Sequence, residues 1–391
     1  MTLRTAAAPP ATPTARLTAT LCQDPERFAA LAAPWEELRR RSPAATPFQS
    51  HTWLHSWWLS YGRPGRLRIV LVHRGGDELV AAAPLMLTRR PLPTLVPLGG
   101  GISDFGDVLL AEDCPQAAHA LAHGLRSVAR GAVVDLREVR PGGAAERLYD
   151  AWRGPRRTLP DSVSLELPGV PMEDLLRRLA TASAKRTRGK LRRIDTLGIH
   201  EHTVGEHEVP AAVRTLLHLH ELQWRGRGVT PEHLRPRFRA HLQRAAQGMV
   251  RAGEAVLTEY RLGPDVMAAD IAFISRGLVC GYLYGAHPEL RARKVDIATL
   301  LLRRNARHAA AGPRTLSLLR GTEPYKMRWQ PTEVAHQRIL LARRELAPLL
   351  SLHAAQVAGR ALAADAVRAH APTAQKWLTR LNGRPTRGTA V

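Results

Sequence analysis

The chain has 391 residues, with 57 Lys plus Arg against 34 Asp plus Glu, a formal charge of +23 and 45% hydrophobic residues. This excludes a largely disordered protein, and the length points to two domains or slightly more at roughly 150 residues each. Cys22, Cys114 and Cys280 lack CxxC spacing, which argues against a disulfide framework or a cysteine-rich zinc site and fits a cytoplasmic location; no apolar window reaches the roughly 18 residues a membrane-spanning helix needs.

Residues 1–20 are rich in Ala, Pro and Thr and read as a disordered leader. A helix is predicted from Pro25 to Arg41, with Asp24 as its N-cap and Pro25 at the first position. Trp53, Leu54, Trp57, Trp58 and Tyr61 recur at spacings of three and four, as on one helical face. Arg66–Arg74 and Glu78–Arg90 read as a hairpin around Gly75, Gly76 and Asp77. A glycine loop, GGGISDFGD, then carries Asp104 and Asp107 into a short strand, and a helix near Pro115–Arg130 and a strand near Ala132–Arg137 follow.

The same scheme returns later in the chain. Ala255–Leu262, Val266–Ile274 and Leu278–Ala286 read as three strands, followed by a helix over Ile297–Ala311 and a strand over Thr315–Leu319. This repetition predicts two similar α/β domains, at 21–168 and 169–345, with a helical, basic tail over 346–391. The second domain opens with the basic segment Leu175–Asp195, a helix or helix pair that could track a phosphate backbone or simply face solvent.

Several residues suggest chemistry. Asp270 alternates onto an apolar strand face with Ala268 and Ala272, where a carboxylate gains a raised pKa and can act as a general base, or pairs with an arginine. Tyr282 and Tyr284 share one face of the next strand, either lining a cleft or packing in a core. His220-Glu221 opens an HExxH pattern, but Trp224 stands in the second histidine's place, and His51 and His55 have no evident third ligand, so no metal site is expected. His220, Trp224 and Arg225 could line an acceptor pocket or pack between domains. In RGTEPYKMRW, Gly321 and Pro324 bound a turn leaving a strand, which places Tyr325 and Lys326 at a strand end where α/β sheets commonly bind ligands.

Three stretches, FQSHTWLHSWW, LHLHELQWRGRG and RGTEPYKMRW, together resemble the bacterial GNAT-type acyltransferases associated with cellulose biosynthesis, a family similar in architecture to the Fem peptidyltransferases, which take their acyl group from aminoacyl-tRNA. The resemblance spans roughly Pro47 to Trp329. It implies tandem GNAT-like domains, each a mixed, mostly antiparallel sheet flanked by helices, and acyl transfer to an amine or hydroxyl acceptor, with acetyl-CoA as the default donor and aminoacyl-tRNA as the alternative.

By this resemblance Lys326 handles the donor or the oxyanion and Asp104 is a candidate acceptor contact. The residues themselves make Tyr325 the proton donor and Asp270 the candidate base, with His220, Trp224, Arg225 and Tyr284 as candidates for the acceptor side. The cofactor turn falls on RKVDIA, which makes Arg291, Arg293, Lys294 and Ala298 the phosphate-side set, but Asp296 stands where glycine is expected and would repel a pyrophosphate unless it is simply a helix N-cap. The acceptor is expected to be a small molecule or glycan. The charge admits tRNA, contact with a membrane surface, or a third reading as a non-catalytic nucleic-acid-binding protein.

Overall fold

The computed structural model describes residues 16–89, 92–225 and 230–363. The first half of the chain contains β1 (Leu17–Cys22), α1 (Pro25–Ala30), α2 (Ala32–Arg40), α3 (His51–Tyr61), β2 (Leu67–Arg74), β3 (Glu78–Arg89), β4 (Pro93–Pro97), β5 (Leu109–Leu110), α4 (Ala117–Val128), β6 (Val133–Val139), α5 (Ala144–Ala151) and β7 (Arg156–Pro168). The second contains α6 (Met172–Arg177), α7 (Thr181–Thr196), β8 (His200–Thr203), α8 (Val209–Trp224), α9 (Pro236–Arg251), β9 (Ala255–Leu262), β10 (Asp265–Ile274), β11 (Leu278–Ala286), α10 (Pro288–Ala292), α11 (Ile297–Ala310), β12 (Thr315–Arg320), α12 (Pro324–Met327) and β13 (Thr332–Leu341). A helix over 347–363 follows.

All these strands belong to one sheet in the order β1-β2-β3-β4-β6-β13-β7-β12-β11-β10-β9-β8, with β5 paired to β3. The order has an internal symmetry. Each half supplies an antiparallel meander, β1-β2-β3-β4 or β8-β9-β10-β11, followed by a parallel neighbour, β6 or β12. Each then receives the final strand of the other half: β13 pairs with β6, β7 pairs with β12, and β7 and β13 join antiparallel at the centre. The duplicated hairpins of the sequence are thus β2-β3 and β9-β10. The sheet runs unbroken past residue 168.

The exchanged strands are sealed by a buried polar ladder. His336 on β13 meets Glu138 Oε2 on β6 at 3.1 Å through Nδ1 and Ser164 Oγ on β7 at 2.9 Å through Nε2. Burial pushes the Glu138 carboxyl up, but the His336 hydrogen bond and the Arg320 charge outweigh it and leave the pKa at about 2. One apolar core extends across both halves on the face covered by α3, α4, α8 and α9, while α6, α7 and α11 cover the other face of the second half.

Several elements differ from the sequence reading. The helix predicted over Pro25–Arg41 is two helices meeting at Leu31, because Pro34 cannot donate to the Ala30 carbonyl and its ring would clash there in a continuous helix. β1 begins at Leu17, inside the segment read as leader, where it gains a partner in β2; residues 1–15 lie outside those described. β4, β7, β8 and β13 carry no clear alternating signal, and β4 and β7 contain prolines that local rules read as breaks. Most of the tail, from residue 364, also lies outside the described residues.

Candidate acyl-transfer site

Each parallel pair separates after a short contact and opens a wedge in the sheet. In the first half, β4 and β6 pair only at Thr94–Val133 and Leu95–Val134. The loop beyond β4 fills that gap. Phe105 is buried, the Gly106 amide donates to the Glu138 carbonyl at 3.1 Å, and a Cβ on Gly106 would lie 2.3 Å from the Arg137 carbonyl oxygen, so only glycine passes.

In the second half, β11 and β12 pair over Leu278–Cys280 and Thr315–Ser317 and then diverge. Here the gap is an open cavity of about 80 Å³, with Asp270, Asn305, Leu283, Leu301 and Leu316 within and Tyr284, Tyr325, Lys326 and Trp329 among its other lining residues. A register shift between Ile271 and Ala272 of β10 leaves Tyr282 between the paired Gly281 and Leu283. The two tyrosines therefore separate. Tyr282 packs into the shared core and donates to the Ile102 carbonyl at 2.9 Å, whereas Tyr284 lines the wedge. Leu319, at φ 61°, lies in the left-handed region, a strain of roughly 1–2 kcal/mol for an L residue, and the register of β12 with β7 shifts across it. This irregularity sends Leu318 to the wedge and Arg320 back into the half-to-half junction.

A larger cavity of about 630 Å³ adjoins the wedge, sharing Tyr284, Ala298 and Tyr325 and adding Trp224, Arg225, His287, Arg291 and Asp296. The structure thus brings together Asp270, Tyr284, Tyr325, Lys326, Ala298, Trp224, Arg225 and Arg291 around two joined cavities. Asp270 is fully buried. Burial raises its pKa to about 7, against the opposing pull of Tyr260 and Arg304. Tyr325 is 38% exposed, and partial desolvation together with Tyr284 and Glu323 raises its phenol, which stays protonated as a proton donor requires.

Lys326 is buried and its ammonium is already engaged. It donates to the carbonyls of Arg320 at 2.7 Å and Gly321 at 3.5 Å and pairs with Glu323 at 2.8 Å. The Glu323 partner is half-exposed, so this contact is the one open to exchange.

Other predicted residues stand elsewhere. Asp104 does not face an acceptor cleft; its carboxylate accepts from Arg320 Nε at 3.0 Å and serves the junction between halves. His220 on α8 packs behind β11 and lines neither cavity: its Nδ1 donates to the Tyr284 carbonyl at 2.7 Å, so its Nε2 accepts from His233 Nδ1 at 3.1 Å. Arg293 pairs with Glu289 on α10, and Lys294 adopts φ 59° in the turn before α11; neither lines the two cavities.

Asp296 is the residue that the motif pattern left ambiguous. It caps α11 by accepting from the Thr299 amide at 3.0 Å, and Arg328 donates to both its oxygens at 2.8 and 2.9 Å while Lys190 of α7 approaches at 2.5 Å. Burial opposes the charge, but the Arg328 and Lys190 bonds win and hold the pKa well below the carboxylate range. The α11 N-terminus, where a pyrophosphate would be held by free amides, is occupied by the chain's own carboxylate and its two cations. These residues do not fit the diphosphate of a coenzyme A at that position. Sequence reasoning had no signal for Arg328 or Lys190 as partners of Asp296, since they lie 32 and 106 residues away.

Among the described residues no group of three or more His, Cys, Asp or Glu could hold a metal ion, and no helix is long and apolar enough to cross a membrane. A model of the acetyltransferase (GNAT) domain matches residues 181–327, the stretch that contains the wedge. No curated protein matches the sequence. Among solved structures, the chain is similar to FemX, with a TM-score of 0.58 and 11% identity over 81% of this chain and 98% of that one. It is also similar to L-PGS from Bacillus licheniformis, at 0.50 and 12% over 84% and 96%, and to a protein of unknown function from Bacteroides thetaiotaomicron VPI-5482, at 0.50 and 12% over 80% and 97%. At these identities the likeness concerns the fold alone: residues 181–327 match the GNAT domain model, and the chain as a whole has a mixed α/β fold similar to that of FemX.

Proposed function

We propose that the protein transfers an acyl group to an amine or hydroxyl in the second wedge, and that the donor is an aminoacyl-tRNA. The observation that carries the choice of donor is the sealed N-terminus of α11, where Asp296 is bound by Arg328 and Lys190. Helix α7 supplies Lys190 to this seal and exposes Lys185, Arg186, Arg192 and Arg193, a basic surface beside the larger cavity that suits a phosphate backbone.

In this mechanism a neutral acceptor amine attacks the acyl carbon of the ester. A C–N bond forms, the C–O bond to the terminal ribose breaks, and Asp270 takes the proton that the nitrogen releases. Tyr325 protonates the departing ribose oxygen and recovers its own proton from solvent. Lys326 fixes the rim of the wedge through the Arg320 carbonyl and can exchange Glu323 for the developing oxyanion. The first wedge is filled by the Phe105 loop, so among the described residues the second wedge is the candidate transfer site.

A second reading, with acetyl-CoA as donor, is favoured by the acetyltransferase model that matches 181–327. Calorimetric titration of acetyl-CoA into nuclease-treated protein separates the two. The expected result is no heat up to millimolar ligand, together with transfer of label from charged tRNA to an amine acceptor; saturable micromolar binding of acetyl-CoA overturns the tRNA reading. Asp296→Gly checks the stated cause. Freeing the α11 amides, Arg328 and Lys190 is expected to create affinity for inorganic pyrophosphate that the parent protein lacks, while removal of the cap costs about 1 kcal/mol or more of stability in urea unfolding.

A further inference from the structure

We infer that the inner part of the second wedge receives the side chain of the transferred acyl group and selects an aliphatic one of about three or four carbons. The inference rests on the acyl-transfer reading for the identity of the occupant, and not on the choice between tRNA and coenzyme A as the leaving group.

The wedge has a polar mouth and an apolar interior. Strand β11 leaves β12 after Cys280, so the gap begins beside Gly281 and opens toward Tyr284. Tyr284, Ala298 and Tyr325, which the wedge shares with the larger cavity, mark the mouth, and Asp270 stands level with them as the cross-strand partner of Tyr284. Lys326 follows Tyr325 on α12. The other walls are supplied by Leu283, Leu301, Leu302, Leu316, Leu318 and Trp329. An acyl carbon held among the mouth groups therefore has its escape from water toward the apex, where its substituent meets hydrocarbon.

The apex offers nothing to a charged substituent. The unpaired oxygens of Asp270 and Asn305, Oδ1 in each, have almost no accessible surface and turn away from the cavity, and the Tyr260 phenol and Arg304 stand beside the Asp270 carboxyl. The charged lining residues are Asp270 and Lys326; both are at the mouth, and the Lys326 ammonium is held by Arg320, Gly321 and Glu323. A lysyl or glutamyl side chain would lose its hydration here without gaining a partner.

Volume sets the length. An apolar cavity of about 150 Å³ takes a benzene ring, and the wedge, at about 80 Å³, has roughly half that space. This suits an isopropyl or isobutyl group and excludes an aromatic ring. Gly281 preserves the space at the inner end, because a Cβ there would lie 2.7 Å from Asn305 Nδ2. Its φ is not in the left-handed region, so alanine at this position tests the volume without straining the backbone.

The probes are primary amides, which carry the acyl group without its leaving group: acetamide, 3-methylbutanamide, 3-phenylpropanamide and the ammonium-bearing 4-aminobutanamide, each titrated into the full chain by ligand-observed NMR at pH 7. The expected result is saturable binding of 3-methylbutanamide at least about tenfold tighter than acetamide, since each buried carbon is worth roughly fourfold, with the phenyl and ammonium amides no tighter than acetamide. Gly281→Ala should weaken 3-methylbutanamide about tenfold and leave acetamide unchanged, whereas Asn305→Leu should keep the aliphatic preference; circular dichroism confirms that each variant is folded. Equal binding of acetamide and 3-methylbutanamide, tighter binding of the phenyl or ammonium amide, an unaltered preference in Gly281→Ala, or its loss in Asn305→Leu overturns the inference. Transfer from one tRNA body charged in turn with valine, alanine and lysine separates this inference from the reading beneath it. Valine is expected to move fastest; faster transfer of alanine or lysine overturns the inference and leaves acyl transfer standing. Selective binding of 3-methylbutanamide with no transfer from charged tRNA or from acyl-CoA overturns the acyl-transfer reading and leaves an aliphatic pocket.

Discussion

Asp270→Asn is expected to raise the stability of the free protein above pH 7 while reducing turnover by about 10²–10⁴-fold, the range of a lost general base. The carboxyl has a pKa raised from 3.8 to about 7 by burial. A raised pKa in the folded state means that stability is fully present below the unfolded value, near 3.8, and is lost as pH rises through about 7. At pH 8 the ionised, buried carboxylate costs of the order of 4 kcal/mol as an upper bound, from about three pKa units of difference. Asparagine keeps the shape and removes the charge. Thermal unfolding of the two proteins should therefore coincide near pH 4 and diverge by several degrees at pH 8, with the variant more stable. The parent's acyl-transfer rate should rise through a single ionisation near pH 7, and the variant's residual rate should lack it. Equal stability at pH 8 would show that a partner within the chain already satisfies Asp270.

Arg320→Ala is expected to be the most damaging single change to the fold, at about 3–5 kcal/mol, because it leaves buried charges without their partner. Arg320 joins the two halves: Nε donates to Asp104 at 3.0 Å, Nη1 to Glu138 at 2.7 Å, and Nη2 to the Ser103 carbonyl at 3.2 Å. Lysine should not rescue it, since one ammonium cannot reproduce this divergent set of contacts. The urea midpoint at pH 7 measures the loss. The acid limb gives an independent check. Glu138, depressed from 4.5 to about 2, contributes stability above pH 4.5 that is lost as pH falls toward 2. Without Arg320 its folded pKa rises toward the unfolded value, so the variant should show a shallower loss of stability across that window. An unchanged urea midpoint would mean that the strand exchange of β7 and β13 suffices to hold the halves together.

Much of this architecture was legible from local pattern because the deciding interactions are local. The hairpins β2-β3 and β9-β10 alternate and are bounded by Gly-Gly-Asp and Gly-Pro-Asp turns, and their recurrence disclosed the duplication. Asp270 was legible for the same reason, since a carboxylate on an apolar alternating face is conspicuous without any knowledge of its neighbours. The motif RGTEPYKMRW also placed Tyr325 and Lys326 at a strand end, and α12 follows β12 as that reading requires.

The remaining features depend on residues far apart in the chain. Strand β13 carries the buried His336 and β7 contains Pro160 and Pro168, so neither reads as a central strand; they become strands because each fills the open edge of the other half. The roles of Asp104, Asp296 and Lys326 were decided by Arg320, by Arg328 with Lys190, and by the carbonyls at the end of β12. The sequence alone determined which residue types were present and the periodicity that makes two α/β halves, because side-chain alternation and turn chemistry act over a few residues. Only the tertiary structure decided which wedge stays open, which charges are consumed as structure and which acceptor oxygens remain unpaired, because those outcomes depend on contacts that exist only after the two halves have exchanged their last strands.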